Sequence, residues 1–168
     1  MYKRSSLTKM SISDLLGMYS GILDELCDRN ILRTVNNPAA DYAEYLVCKA
    51  LSLAPAVKST KGYDAQDIHG IKYEIKARRL THRSHPTRFS AIRSIEEDHF
   101  NFLVAVLFEE DFQVHKAMIF PKSYIVEKAF QQNHVNAWIL PIDEDLWNAK
   151  DGEDITSKLR EIQKSMAA

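Results

Sequence analysis

The sequence predicts an α/β fold, a mixed β-sheet flanked by helices, with a further helix added at the N-terminus. Three observations carry that expectation. Residues 11–30 and 39–53 space their apolar side chains at helical intervals. The segment 62–76 reads as a β-hairpin turning near His69-Gly70. The run Phe102-Leu103-Val104-Ala105-Val106-Leu107-Phe108 is apolar without a break, as a strand covered on both faces must be.

Each element has its own signal. In the first helix Leu15, Leu16, Tyr19, Ile22, Leu23, Leu26 and Cys27 form an apolar stripe, with Ser11 or Ser13 as cap. The second opens on Asn37-Pro38, a good cap followed by a proline tolerated in the first turn. It should bury Tyr42, Leu46, Ala50 and Leu53 before Ala54-Pro55-Ala56 ends it. Hairpin strands at 63–68 and 71–79 follow, then a polar, basic stretch from Thr81 to Asp98. After the 102–108 strand, Glu109-Glu110-Asp111 supplies a turn and Gln113 to Phe120 returns antiparallel. A helix from Ser123 to about Gln132, a strand at 137–140 and a last helix through about Ser165, capped by Asp154 or Thr156, complete the order. Helices on a mixed sheet make one domain over residues 1–168: an N-terminal helix at 11–30, a core at 37–142, and an acidic segment with a helix at 143–168.

Composition narrows the class. A chain of 168 residues that is 45% hydrophobic suits one domain with a sizeable core. No run of eighteen apolar residues occurs, so no membrane span is expected. Met1 to Ser6 leads into a polar amphipathic stretch, unlike a signal peptide. Cys27 and Cys48 are the only cysteines and both fall in helical segments, which argues against a disulfide framework and for a reducing, cytoplasmic setting. The net charge of −1 conceals an uneven distribution. Residues 58–93 carry nine Lys and Arg against three acids, a surplus of +6, and the rest of the chain stands at −7. Such local basicity points to a polyanionic partner.

The hairpin holds the chemistry. Side chains alternate along a strand, so Glu74 and Lys76 share one face, and Arg78 continues it. A three-residue turn (Ile68, His69, Gly70) sets Asp64 opposite Glu74; a two-residue turn shifts it by one. Carboxylates facing each other across strands repel, and a divalent cation such as Mg²⁺ between them removes that penalty. The ammonium of Lys76 then faces an attacking water or a phosphate, which is the equipment of a metal-dependent phosphodiesterase.

These residues resemble the PD-(D/E)xK nuclease superfamily, whose fold is called restriction-endonuclease-like. The resemblance covers roughly 37–142 and rests on a helix carrying Glu44, a Gly-Tyr-Asp strand (Asp64) and the Glu74-x-Lys76 strand. Asn37-Pro38-Ala39-Ala40-Asp41-Tyr42-Ala43-Glu44-Tyr45-Leu46 followed by Lys61-Gly62-Tyr63-Asp64 is similar to a small bacterial and phage branch; Tyr63 stands where the family's nominal proline would precede the aspartate. The resemblance implies that Asp64 and Glu74 ligate Mg²⁺, for which Mn²⁺ can substitute, and that Lys76 orients water or offsets phosphate charge. Glu44 would add a ligand or hold a metal-bound water. The implied activity is an endodeoxyribonuclease acting on double-stranded DNA. Apart from the resemblance, the strand parity of Arg78 with Glu74 and Lys76 would let it touch a phosphate, and the basic loop residues Arg83, Arg88 and Arg93, with His82 and His85, would meet the DNA backbone.

Competing readings stand beside it. Glu74 and Lys76 also read as an ordinary solvent-facing pair, Asp64 as a turn-entry residue, Asp67 as a turn residue or the alternative ligand, and Glu44 and Asp41, on one helix face, as residues that simply face water. His82-x-x-His85 lacks the four ligands of a structural zinc site. The alternatives at the level of function are a non-catalytic nucleic-acid-binding module and a protein-interaction domain. The helix at 11–30 also offers a homodimer contact, since cutting both strands of a duplex is simplest with two sites.

Overall fold

The computed structural model describes residues 4–57, 60–93, 95–132 and 137–166. A one-turn helix, α1 (Arg4–Leu7), leads into α2 (Ile12–Asp28). Ser11 caps α2 by accepting the Asp14 amide, one of the donors a helix leaves unpaired at its start. Asn37 accepts from Ala39 N to cap α3 (Pro38–Leu51), where Pro38 costs no hydrogen bond. Ser52, left-handed at φ 56°, stops α3 and returns its amide to the Cys48 carbonyl. The following Ala54-Pro55 is therefore not the helix terminator but a short strand, β1 (Ala54–Pro55).

The chain then builds β2 (Ala65–Gln66), β3 (Lys72–Arg79), β4 (Phe102–Phe108) and β5 (Val114–Pro121). After these come α4 (Lys122–Lys128), β6 (Phe130–Gln132), β7 (Ala137–Ile139), α5 (Glu144–Trp147), β8 (Glu153–Asp154) and α6 (Thr156–Met166). The main sheet has the order β1-β2-β3-β4-β5-β8. Only the β3–β4 pairing is parallel, so the sheet is mixed and mostly antiparallel. β6 and β7 pair separately.

The apolar run of β4 divides its side chains between two cores. Val104, Val106 and Phe108 pack with Ala43, Leu46 and Val47 of α3 and Leu159 of α6; Ile75 joins them from β3, with Tyr73 and Ala77 partly buried beside it. Leu103 and Ala105 face the other side, against Phe89, Ile92, Ile95, Phe120, Ile125 and Leu140. The irregular segment after β3 thus covers a sheet face, tied by Ile92 and Arg88 bridges to Trp138 and Pro141. Each fully buried Leu, Ile or Phe contributes about 1.5–3 kcal/mol.

Two expectations need correction. The first hairpin strand is two residues long, not six: β2 holds only Ala65 and Gln66, with the left-handed Gly62 before it and the loop at 68–70 after it. The helix expected to reach Gln132 ends at Lys128, and Phe130–Gln132 pairs with β7 instead. The apolar stripe expected for α2 is present and mostly uncovered: among the described residues of α2 Leu23 alone is buried, while Ile12 is 79% exposed, Leu16 63%, Tyr19 52% and Ile22 51%.

Gln163 joins three elements from inside. Its Oε1 accepts the Val114 amide, and its Nε2 donates to the Phe112 carbonyl and the Tyr42 hydroxyl. Gln163→Leu strands all three groups and is expected to cost about 1–3 kcal/mol for each buried group left unpaired. Urea unfolding measures this; an unchanged midpoint would show that the amide is dispensable.

Candidate functional site

The hairpin register follows from its turn. Ala65 faces Tyr73 and Gln66 faces Lys72, which leaves Ile68, His69 and Gly70 as a three-residue loop and sets Asp64 opposite Glu74. Asp67 builds that loop: its Oδ1 accepts His69 N at 2.8 Å and Ile71 N at 2.9 Å. Gly70 takes the left-handed position at φ 78° that such loops require. Asp67 is thus a turn residue. On the approach to the strand, Gly62 has φ 87°, and a methyl group there would collide with the His99 side chain.

Asp64 does more than enter a turn. β2 pairs only with Lys72 and Tyr73 of β3, so the next inward amide, that of Ile75, donates to Asp64 Oδ2 at 2.7 Å. The carboxylate is anchored by one oxygen, and Oδ1 has no donor among the described residues. Glu74 is buried and paired with Lys76, its Oε1 2.5 Å from Nζ. This pair is not an open solvent-facing one: the two side chains are 12% and 15% exposed.

α3 brings two further acids, with separate roles. Asp41 Oδ2 accepts from the amides of Arg33 and Thr34 and from the Thr34 hydroxyl, which fastens the preceding loop to the helix. Glu44 turns to the site and meets Arg33, Oε2 to Nη1 at 3.3 Å. Arg33 also donates from Nη2 to the Ala56 carbonyl at 2.9 Å. A small cleft of about 180 Å³ is lined by Arg33, Asp41, Glu44, Tyr63 and Asp64 among others.

Electrostatics bind these groups together. Burial, then the charges of Asp64 and Asp41, push the Glu44 carboxyl up to about 7 against the pull of Arg33. Burial, then Glu74, push Asp64 up to about 6 against the Ile75 amide, Lys76 and Arg33. Burial and then Glu44 raise the Cys48 thiol to about 11. Asp41, Glu44, Asp64 and Glu74 thus confront two cations, Arg33 and Lys76, and the surplus is negative.

That surplus fits a divalent cation. Among the described residues no three His, Cys, Asp or Glu side chains are gathered as a ready-made ligand set. Mg²⁺ asks for fewer, since it keeps several waters and takes one or two carboxylates together with substrate phosphates. Asp64 and Glu74 would be those two, with Glu44 in reserve on Arg33.

The basic residues separate. Arg78 Nε donates to the Arg88 carbonyl at 3.1 Å, so these two lie together. Arg83 is exposed in the turn closed by Thr81 and Ser84, and Arg93 is exposed beside the Ile92–Trp138 bridge. Lys58, counted in the basic surplus, lies outside the described residues. His82 pairs with Glu110, whereas His85 lines a groove with Arg88, so the His-x-x-His spacing does not converge. Sequence reasoning missed Arg33, a basic residue in the loop between α2 and α3 with no motif around it.

The raised carboxyls give stability a pH dependence of definite sign. Both groups hold protons more tightly in the folded chain than in the unfolded one. Their contribution is therefore fully present below about pH 4 and is lost as pH rises through 6 and then 7. Glu44→Gln should relieve that loss, raising stability at pH 8 by on the order of 1–3 kcal/mol and leaving pH 5 nearly unchanged. Urea midpoints at the two pH values check this; equal shifts at both would refute it.

No protein-family model matches the chain, and no curated protein matches its sequence.

Proposed function

We propose that the chain is a Mg²⁺-dependent endodeoxyribonuclease built on a restriction-endonuclease-like domain. The observation that carries this reading is the anchoring of Asp64 on the Ile75 amide, which holds one carboxylate beside Glu74 and Lys76 at the strand edge where β2 stops. The hairpin leading into a parallel neighbour strand, with α3 packed on one face, supports the fold assignment.

A divalent ion held by Asp64 and Glu74 would acidify a water and offset charge developing on the phosphate. The chain's own groups do the rest. Lys76, fixed by Glu74, stands ready to orient the attacking water through its N–H donors or to meet a phosphoryl oxygen. Asp64 cannot swing away without leaving the Ile75 amide unpaired, so its free oxygen keeps one position. Arg33 lines the cleft beside Asp64 and restrains Glu44. The basic surplus of 58–93 attracts the DNA backbone to this side of the chain. Two copies arranged about a two-fold axis would cut both strands of a duplex.

Supercoiled plasmid incubated with Mg²⁺ or Mn²⁺ is expected to be nicked, and EDTA to abolish the nicking. Lys76→Ala and Glu74→Gln should each lower the rate about a hundredfold or more. Undiminished nicking in either variant would sink the site assignment. DNA binding without cleavage under either metal would favour the non-catalytic module.

A further inference from the structure

Past the end of β2 the outer side of β3 borders a groove of about 660 Å³. Arg78 and Arg79 line it from β3, His85 and Arg88 from the segment that follows, and Asn37 and Ala40 from the start of α3. Four Ser and Thr residues also line it, with Ala39, Ala77 and Pro86, and no Asp or Glu takes part. This composition differs from that of the carboxylate-lined cleft at Asp64, whose lining takes nothing from β3.

The three guanidinium groups are arranged, not scattered. Arg78 is steered by its bond to the Arg88 carbonyl. Arg79 lies over the Phe112 ring at 4.4 Å and donates to the Glu110 carbonyl. The Arg88 side chain has no hydrogen-bond or ion-pair partner among the described residues, although its backbone anchors Arg78. Holding three like charges round one groove is unfavourable unless an anion shares it. The positive end of the 14-residue helix α3 points the same way, adding partial charge of the same sign. Arginine's planar fork suits a phosphate, and although the Glu110 carboxylate lies near enough to Arg79 to feel its charge, no carboxylate among the described residues lines the groove or pairs with Arg78 or Arg88.

We propose that this groove seats a backbone phosphate of the DNA strand being cut, at a set distance from the scissile bond. The proposal rests on the nuclease reading and extends it to the register of the substrate. Glu74, Lys76 and Arg78 share a face of β3, and four residues of strand separate Glu74 from Arg78 by about 13 Å. At the rise of a DNA strand, or with the strand more extended, this corresponds to about two to four nucleotides between anchored phosphate and cut. The enzyme would then require DNA on the groove side of the bond it breaks.

Binding of a fluorescein-labelled DNA duplex in EDTA, followed by anisotropy over a range of salt, tests the seat without cleavage. Arg88→Gln should weaken binding about threefold to tenfold and lower the salt slope by about one, because a single phosphate contact is lost. Lys150→Gln, exposed and outside both the groove and the basic segment 58–93, should leave both unchanged. Equal losses in the two variants, or none in Arg88→Gln, would overturn the proposal whatever the cleavage activity. In cleavage with Mg²⁺, a single uncharged methylphosphonate two to four nucleotides from the cut should slow wild type but add nothing to the loss in Arg88→Gln. Sensitivity at every position alike would overturn the fixed register. If the binding loss appears and cleavage does not, the seat stands and the nuclease reading fails.

Discussion

The amide of Ile75 sits where a neighbouring strand should be, and the carboxylate of Asp64 takes the hydrogen bond that strand would have made. Much of the site depends on this substitution. β2 is only two residues long, and its shortness opens the side of β3 that carries Glu74, Lys76 and Arg78. A longer β2 would pair those positions and close the approach. A shorter one would lose the register that brings Asp64 opposite Glu74. The backbone need of one residue thereby fixes the position of a charged group that would otherwise retreat into water.

The second constraint is charge. Four carboxylates and two cations share a partly buried region, and burial raises the proton affinity of those least well compensated. A structural network would be expected to balance its signs, since breaking a buried pair is costly and an unpaired buried charge more so. The retained imbalance is the kind of cost that functional sites carry while the rest of the fold supplies the stability. Here the supply is plain: the β4 strand is covered on both faces, by α3 and α6 on one side and by the segment around Phe89, Ile92 and Ile95 on the other.

Local chemistry made part of this legible from the residues alone. His69-Gly70 placed the turn but left its length at two or three residues; the bonds from Asp67 to the His69 and Ile71 amides settle it at three and set Asp64 opposite Glu74. Asn37-Pro38 and Ser11 announce their helices by the bonds they make. The unbroken apolar run 102–108 could belong only to a strand with two covered faces. What escaped depends on contacts distant in sequence. Arg33 reaches Glu44 across eleven residues and Ala56 across twenty-three. Arg79, opposite in parity to Arg78, still borders the same groove because the strand ends there and both faces become accessible. The short β6–β7 pairing depends on residues brought together only after the core has closed.

Amphipathicity in α2 tells which face is apolar and is silent on what covers it. The C-terminal half of that stripe meets the body through Leu23, and the N-terminal half runs on past it with Ile12, Leu16 and Tyr19 in solvent. The helix makes only sparse contact with the other regular elements. Its hydrogen bonds are accordingly guarded by little buried surface, and their opening is decoupled from that of the sheet. The amides of α2 would exchange with deuterium through fraying of that helix alone, long before those of β4, so the isolated chain behaves as two layers of unequal permanence: a durable sheet and a helix that comes and goes beside it.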